Sequence, residues 1–222
     1  MTSWAAIDGE ERPKPLYYAL KKVFEPRLLT FQPRAADGSL DVDGAPHLVV
    51  VNDTDTRWSE TLTFTRMALD GTELAVATAH LSAGARETVT IAVPAHVREA
   101  ADAAAELLVA DAGYPGDAEH VRAVWTFAED KDIAYDAAPF SASARAVDGG
   151  YEVTVRATGF VRDLTVLADK VDPGAVADRA LVTLVAGDRA VVTIASGEIV
   201  PPEAFLVANV LVSVNSLVAQ KP

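Results

Sequence analysis

The sequence predicts a mainly β protein with two immunoglobulin-like β-sandwich domains, preceded by a short strand end and one α-helix. After Pro26, hydrophobic and polar residues alternate in short runs, and this period of two is typical of half-buried antiparallel strands. Turn-forming Asn, Asp and Gly residues separate the runs. The chain has 222 residues, of which 50% are hydrophobic, and this is enough for two domains that each bury a core.

The first predicted element is a helix that does not match the rest of the chain. Ser3–Asp8 has the pattern of a strand end, a turn is expected at Gly9, and Pro26 ends the helix at or before Glu25. Apolar residues recur between them at helical spacing. They form a stripe of Leu16, Tyr17, Leu20, Val23 and Phe24. A lone strand–helix unit cannot bury this stripe, so we expect it to pack on the first sandwich, pair with a second copy or be poorly ordered.

The remaining elements are strands in two groups of roughly 85 to 100 residues, the size of one immunoglobulin-like sandwich. Residues 129–139 have the composition of a linker between the groups. We therefore expect an opening unit at residues 1–26, a first sandwich at residues 27–135 and a second sandwich at residues 136–222. His96–Leu107 is rich in Ala and Glu, which predicts a short helix or helical turn that crosses between the sheets. The clearest alternating runs are residues 61–65, 88–93, 151–156 and 192–194.

The composition excludes several classes of function. A formal net charge of −13 does not suit binding to nucleic acid or to an anionic membrane surface. The chain has no cysteine, which excludes disulfides, thiol nucleophiles and cysteine-based zinc sites. No apolar run reaches the roughly 20 residues of a membrane-spanning helix, and no signal peptide is visible. The expected location is therefore the cytoplasm.

The motifs predict no catalytic, metal-binding or cofactor-binding residue. The four histidines lack the spacing of a zinc site. Asp53 and Asp55, like Asp130 and Asp132, resemble parts of a calcium loop, but the other ligands of an EF-hand are missing, so we interpret all four as turn residues. The sequence contains no nucleophile elbow, phosphate-binding loop or dinucleotide fingerprint.

The three tryptophans are candidates for stacking on sugar rings. Trp125 lies in a strand-like run and is expected in the core. Trp58 lies beside a turn, where an exposed ring could bind sugar or equally cover a sheet edge. Trp4 lies in the opening segment, and its interpretation depends on what that segment belongs to.

Two opening motifs and four later ones show a resemblance to a known family. Residues 3–9 read Ser-Trp-Ala-Ala-Ile-Asp-Gly, and residues 14–19 read Lys-Pro-Leu-Tyr-Tyr-Ala. They resemble the end of the last strand and the closing helix of the catalytic (β/α)₈ barrel in β-mannosidases of glycoside hydrolase family 2. Similarity to the two sandwiches after that barrel continues at residues 48–54, 123–130, 160–164 and 168–173.

The resemblance implies a parent enzyme that releases terminal β-D-mannose from non-reducing ends with a retaining mechanism. Such a mechanism uses two Glu residues on earlier barrel strands, and neither position exists in this chain. A complete barrel needs about 250 residues. The chain alone is therefore expected to be inactive, with the parent's catalytic barrel as its partner and mannosides bound only in the full-length protein.

Trp4 is the single candidate for substrate binding that the resemblance implies. It could form part of the wall of the mannose pocket in the parent, or it could pack between the barrel and the first sandwich. Two other functions remain open for the whole chain. One is a carbohydrate-binding module in which Trp58 or a Tyr stacks on sugar, and the other is a free-standing interaction sandwich. A homodimer formed through the opening helix is compatible with the sequence.

Overall fold

The computed structural model describes residues 4–33, 44–114 and 120–219, and the chain is mainly β within these ranges. It divides into two compact units, each built on antiparallel sheets. The first sandwich unit comprises Val23–Ala68 and Thr72–Ala134. The terminal unit comprises the opening residues through Lys22, the short segment Leu69–Gly71 and the chain from Tyr135 onward. The predicted mainly β fold with β-sandwich domains is confirmed.

The first sandwich unit contains seven described strands, which are β1 (Arg27–Gln32), β2 (His47–Asn52), β3 (Trp58–Ala68), β4 (Glu73–Ala83), β5 (Glu87–Ala92), β6 (Glu106–Ala112) and β7 (Val121–Thr126). They form a three-stranded sheet in the order β1-β2-β5 and a four-stranded sheet in the order β4-β3-β6-β7. A short helix, α2 (Ala95–Arg98), follows β5.

The alternation predicted for β3 places its large side chains in the core. Leu62 and Phe64 are fully buried. In register, Phe64 lies between Ala77 on β4 and Ala110 on β6, so a large ring is flanked by small neighbours. The period of two in the sequence therefore corresponds to one buried face of the sheet.

The terminal unit is built from β8 (Phe140–Val147), β9 (Gly150–Ala157), β10 (Val161–Val166), β11 (Val176–Ala177), β12 (Val182–Leu184), β13 (Arg189–Ala195), β14 (Leu211–Val212) and a final helix, α3 (Val214–Ala219). It repeats the two-sheet arrangement, with sheets in the orders β12-β10-β14 and β11-β13-β9-β8. Val153 lies in register between Ala144 on β8 and Val192 on β13, and Phe205 packs against Tyr151 with ring centroids 4.8 Å apart.

The short helix or helical turn predicted within His96–Leu107 is confirmed at the beginning of the segment and wrong at its end. Only the single turn of α2 forms, and Glu106 and Leu107 already belong to β6. Tertiary contacts override the local helix propensity because Leu107 is fully buried and the carboxylate of Glu106 pairs with Arg66 at 2.5 Å. The same carboxylate accepts the backbone N–H of Asp102 at 3.1 Å.

The opening helix, α1, spans Pro15–Val23 and ends before Pro26 as predicted. None of its residues is buried. The expectation that it packs on the first sandwich is wrong, since the helix through Lys22 belongs to the terminal unit. No helix among the described residues combines the length and apolar character needed to cross a membrane.

Candidate functional site

The opening segment is a closed loop organised by Asp8. Its Oδ1 atom accepts the backbone N–H groups of Glu10 at 2.9 Å and Arg12 at 3.0 Å, and its Oδ2 atom accepts Nε–H of Arg12 at 2.8 Å. The N–H of Lys14 donates to the carbonyl of Ala6 at 2.9 Å and closes the loop before α1 begins. Asp8 therefore shapes the entrance to the helix.

The hydrogen bonds of this loop change the protonation behaviour of Asp8. The backbone N–H of Arg12 is the main cause that lowers the pKa of Asp8, and the guanidinium of the same residue adds to the effect. Asp8 in turn raises the pKa of Arg12. A carboxyl group with a lowered pKa is ionised at neutral pH and is a poor proton donor, so we assign Asp8 a structural role rather than that of a general acid.

The predicted strand end before this loop is only partly present. Ser3 lies outside the described residues, and Ile7 forms a single isolated antiparallel bridge with Pro13. The turn expected at Gly9 is confirmed. A strand in the usual sense needs a neighbouring strand to satisfy its backbone groups, and the described opening segment has only this one bridge.

Helix α1 binds the terminal unit through polar side chains. The hydroxyl of Tyr18 donates to the carbonyl of Ala177 at 2.9 Å, and Nζ of Lys21 donates to the carbonyl of Asp178 at 3.1 Å. The role of these two side chains was not predicted from the sequence. Their signal is that Tyr18 and Lys21 lie three residues apart and therefore share one side of the helix.

The apolar stripe of α1 is partly exposed to solvent. Leu16 is 43% exposed and Leu20 is 38% exposed, and Tyr17 and Val23 are likewise exposed. Phe24, directly after the helix, is also exposed. The expectation that the stripe lacks its natural partner stays a prediction. We call Leu16, Tyr17, Leu20 and Val23 the apolar face of α1.

A groove of about 180 Å³ separates the opening segment from the rest of the terminal unit. Side chains of Asp8, Arg12 and Tyr18 line one side, and residues 165–169 and 175–177 line the other. Ligand sites for drug-sized molecules are usually about 300 to 1,000 Å³. The groove is therefore best explained as space left beside the polar contacts of α1.

Trp4 does not line this groove and is almost fully exposed to solvent. Its side chain is 98% exposed, four residues before Asp8. A large aromatic ring in this state is available for stacking or packing. The prediction that Trp4 contacts substrate in a longer protein stays a prediction.

The other two tryptophans belong to the first sandwich unit. The interpretation of Trp58 as an exposed platform is wrong, because only 1% of it is exposed and the guanidinium carbon of Arg27 lies 5.5 Å from the ring centroid. Trp58 begins β3 and shares the parity of Leu62 and Phe64, which is the sequence signal of its burial. Trp125 packs on the core, with its ring centroid 6.5 Å from that of Phe31, as predicted.

The motif at residues 48–54 builds a buried polar centre around Asn52. Its Nδ2 atom donates to the carbonyls of Thr56 at 2.8 Å and Gly84 at 2.7 Å, and its Oδ1 atom accepts the hydroxyl of Thr54 at 2.7 Å. Asp55 pairs with Arg86 at 2.9 Å in the same turn region. Across the described ranges, no group of three or more His, Asp or Glu residues is placed to hold a metal ion.

The fold and the opening segment together define a two-sandwich β protein in which helix α1 presents a partly exposed apolar face. No protein-family model and no curated protein matches the sequence. Among solved structures, the β-D-mannosidase of Dictyoglomus thermophilum matches with a TM-score of 0.69 and 15% identity, over 88% of this chain and 22% of that chain.

An exo-chitosanase of Amycolatopsis orientalis, named CsxA, matches with a TM-score of 0.56 and 22% identity, over 86% of this chain and 26% of that chain. Likeness at these identities shows a shared fold. The chain spans 22% to 26% of the length of these two structures.

Proposed function

We propose that this chain is the non-catalytic, C-terminal β-sandwich portion of a retaining glycoside hydrolase of family 2, with β-mannosidase as the parent activity. The observation that carries the proposal is the exposed apolar face of α1 in a chain whose fold matches about a quarter of two glycosidase structures. The motifs at residues 3–9 and 14–19 support the choice of β-mannosidase. The longer parent supplies the barrel and both catalytic carboxylates.

The partner of the apolar face is, on this proposal, the remaining part of the catalytic barrel. Helices of a (β/α)₈ barrel bury an apolar stripe against the barrel strands and against neighbouring helices. Burying one Leu or Val side chain contributes about 1.5 to 3 kcal/mol before the entropy of ordering is subtracted. The exposed Leu16, Leu20 and Val23 are of the type and spacing that such a contact uses.

Hydrolysis assays test the proposal directly. The purified chain should not hydrolyse p-nitrophenyl β-D-mannoside, whereas the parent protein with its barrel should. Turnover by the chain alone that disappears when one of its acidic residues is changed would contradict the non-catalytic assignment. A parent that cleaves a β-D-glucosaminide and leaves the mannoside intact would contradict the mannosidase assignment and keep only the coarser one.

Substitutions on α1 test the partner of the apolar face. Leu20→Glu in the parent protein should weaken the packing of the helix on the barrel and lower the melting temperature. Lys22→Glu is the matched control, because Lys22 is an exposed residue of the same helix. Equal effects of the two substitutions would argue against burial of the face. Sedimentation of the chain alone would detect a homodimer if one forms. Loss of that homodimer in Leu20→Glu would assign the apolar face to a second copy of the chain instead of the barrel.

Trp4 is proposed to form part of the mannose pocket of the parent. Its exposed ring can stack on a sugar ring, and it lies in the segment that resembles the end of a barrel strand. Trp4→Ala should raise KM for the mannoside by about tenfold or more, which corresponds to the loss of a stacking contact. A lower melting temperature with unchanged KM would assign Trp4 to packing.

A carbohydrate-binding module is the second candidate, favoured by the exposure of Trp4 and Tyr114. The burial of Trp58 removes one of the two platforms expected for this function, which were Trp58 and a Tyr. Titration of the chain with manno-oligosaccharides to millimolar concentration, followed by tryptophan fluorescence, separates the two functions. We expect no change. A saturable change that is lost in Trp4→Ala would favour the module.

A further inference from the structure

Strand β11 lies at the edge of its sheet, with β13 as its sheet neighbour. Edge strands leave backbone groups free for other partners. The residue just after β11, Asp178, forms hydrogen bonds both with β13 and with α1. Asp178 donates its backbone N–H to the carbonyl of Thr193 on β13 at 2.8 Å, and its own carbonyl accepts Nζ of Lys21 at 3.1 Å.

A second contact repeats this pattern one residue earlier. The carbonyl of Ala177 accepts the hydroxyl of Tyr18 at 2.9 Å, while Ala177 is in register with Ile194 on β13. Two successive carbonyls at the sheet edge are therefore bound by two side chains three residues apart on α1. Since i and i+3 residues share one side of a helix, the two bonds together fix the rotation of α1 about its axis.

The apolar face points elsewhere because of this rotation. At 3.6 residues per turn, Leu16 and Leu20 lie about 160° around the helix from Tyr18. Both leucines are exposed, whereas Tyr18 is half-buried. The polar contacts with the sheet edge thus leave the apolar face turned outward and available.

We infer that the edge of β11 is the positioning site for α1, and that α1 is a two-faced connector between the terminal unit and an apolar partner. The polar side of the connector binds the carbonyls of Ala177 and Asp178, and the other side is the apolar face. The identity of that partner as the parent's barrel rests on the proposed function. The anchor, meaning the two hydrogen bonds of Tyr18 and Lys21 to the edge of β11, does not depend on the proposed function.

Hydrogen exchange of the full 222-residue chain tests the anchor with matched pairs of variants. The double variant Tyr18→Phe/Lys21→Met removes both bonds to the sheet edge and keeps the apolar stems. Tyr17→Phe/Lys22→Met makes the same chemical changes on neighbouring positions of α1. The backbone amides of residues 16–23 should exchange about 5- to 30-fold faster in the first variant only, because roughly two hydrogen bonds are lost.

Exchange in β9 and β13 serves as the folding check, and both strands should keep their protection in each variant. If Tyr18→Phe/Lys21→Met unfolds the unit, Tyr18→Phe alone, which removes one oxygen atom, supplies the measurement. Equal acceleration in the two double variants, or no acceleration in the first, would overturn the inference.

The partner side of the connector is tested separately. Leu20→Glu in the chain alone should leave the exchange of residues 16–23 within about twofold of the parent chain, because Leu20 lies about 160° around the helix from Tyr18 and makes neither of the two anchoring bonds. An acceleration as large as that of Tyr18→Phe/Lys21→Met would contradict the two-faced arrangement. A barrel that assembles normally with Leu20→Glu would overturn the proposed function and leave the anchor on β11 intact.

Discussion

Several polar side chains of this chain stabilise turns, although their residue types are also common in catalytic and metal-binding sites. Asn52 bridges two turns of the first sandwich unit, and Asp8 closes the opening loop. In the terminal unit, Asp172 accepts the hydroxyl of Ser196 at 2.6 Å and the backbone N–H of Gly174 at 2.9 Å. Each satisfies groups that a turn would otherwise leave without a partner. The hydrogen bonds of these side chains therefore stabilise the folded units.

Asn52→Leu should lower the free energy of unfolding of the first sandwich unit by about 2 to 4 kcal/mol, because the carbonyls of Thr56 and Gly84 lose a buried donor. Urea denaturation followed by far-ultraviolet circular dichroism measures the change. The control Asp53→Ala alters the next, exposed residue and should shift stability by no more than about 0.5 kcal/mol. A loss as small as that of the control would show that Asn52 is not a structural centre.

The acid stability of the terminal unit should depend on Asp172. The hydroxyl of Ser196 is the main cause that lowers the pKa of Asp172 below its ordinary value of 3.8, followed by the N–H of Gly174. The stabilisation is therefore present above about pH 3.8 and is lost as the pH falls through the lowered pKa. Asp172→Asn should flatten this acid limb in melting curves recorded between pH 5 and pH 2. Asp148→Asn, at an exposed turn, should keep the limb of the parent chain.

At the scale of elements, α1 forms because of a local sequence pattern, whereas its position depends on a contact that is distant in the chain. Apolar residues at helical spacing predicted the helix and the residues of its apolar stripe. The anchor of the helix was not predictable from that spacing, since Tyr18 and Ala177 are 159 residues apart in the chain. The segment His96–Leu107 shows the reverse case, in which a good local helix pattern yields to burial of Leu107 in β6.

The anchoring bond of Tyr18 should make α1 sensitive to alkali. Burial is the main cause that raises the pKa of Tyr18 above its ordinary value of 10.0. Its contribution to stability is fully present below about pH 10 and is lost as the pH rises through the raised pKa, where the hydroxyl can no longer donate. In an ultraviolet titration, the parent chain should contain one tyrosine that ionises at a higher pH than an ordinary tyrosine, and this late-ionising tyrosine should be absent from Tyr18→Phe. A late-ionising tyrosine that persists in this variant would contradict the assignment.

At the scale of the whole molecule, the chain consists of two units with a separate hydrophobic core in each. Phe205 is fully buried in the terminal core, where its ring meets that of Tyr151. The first sandwich unit buries Leu62 and Phe64 in its own core. Substitutions in one core should therefore act first on the unit that contains them.

Phe205→Ala should destabilise the terminal unit by about 3 to 5 kcal/mol, the usual cost of removing a buried aromatic side chain. Hydrogen exchange should rise in β9 and β13, while β3 and β6 of the first sandwich unit keep their protection. Leu62→Ala is the converse variant and should leave β9 and β13 protected. Loss of protection in both units from either substitution would show that the two cores unfold as one.

The alternation of apolar and polar residues by itself determined that most of this chain folds as strands, because each period-two run has one face that must be buried. The same local logic determined α1 and its apolar face. The burial of Trp58, the start of β6 at Glu106 and the anchoring of α1 on β11 depended on tertiary structure. Each of these is set by partners far away in the chain, and a local pattern contains no information on which distant residue fills the space beside it.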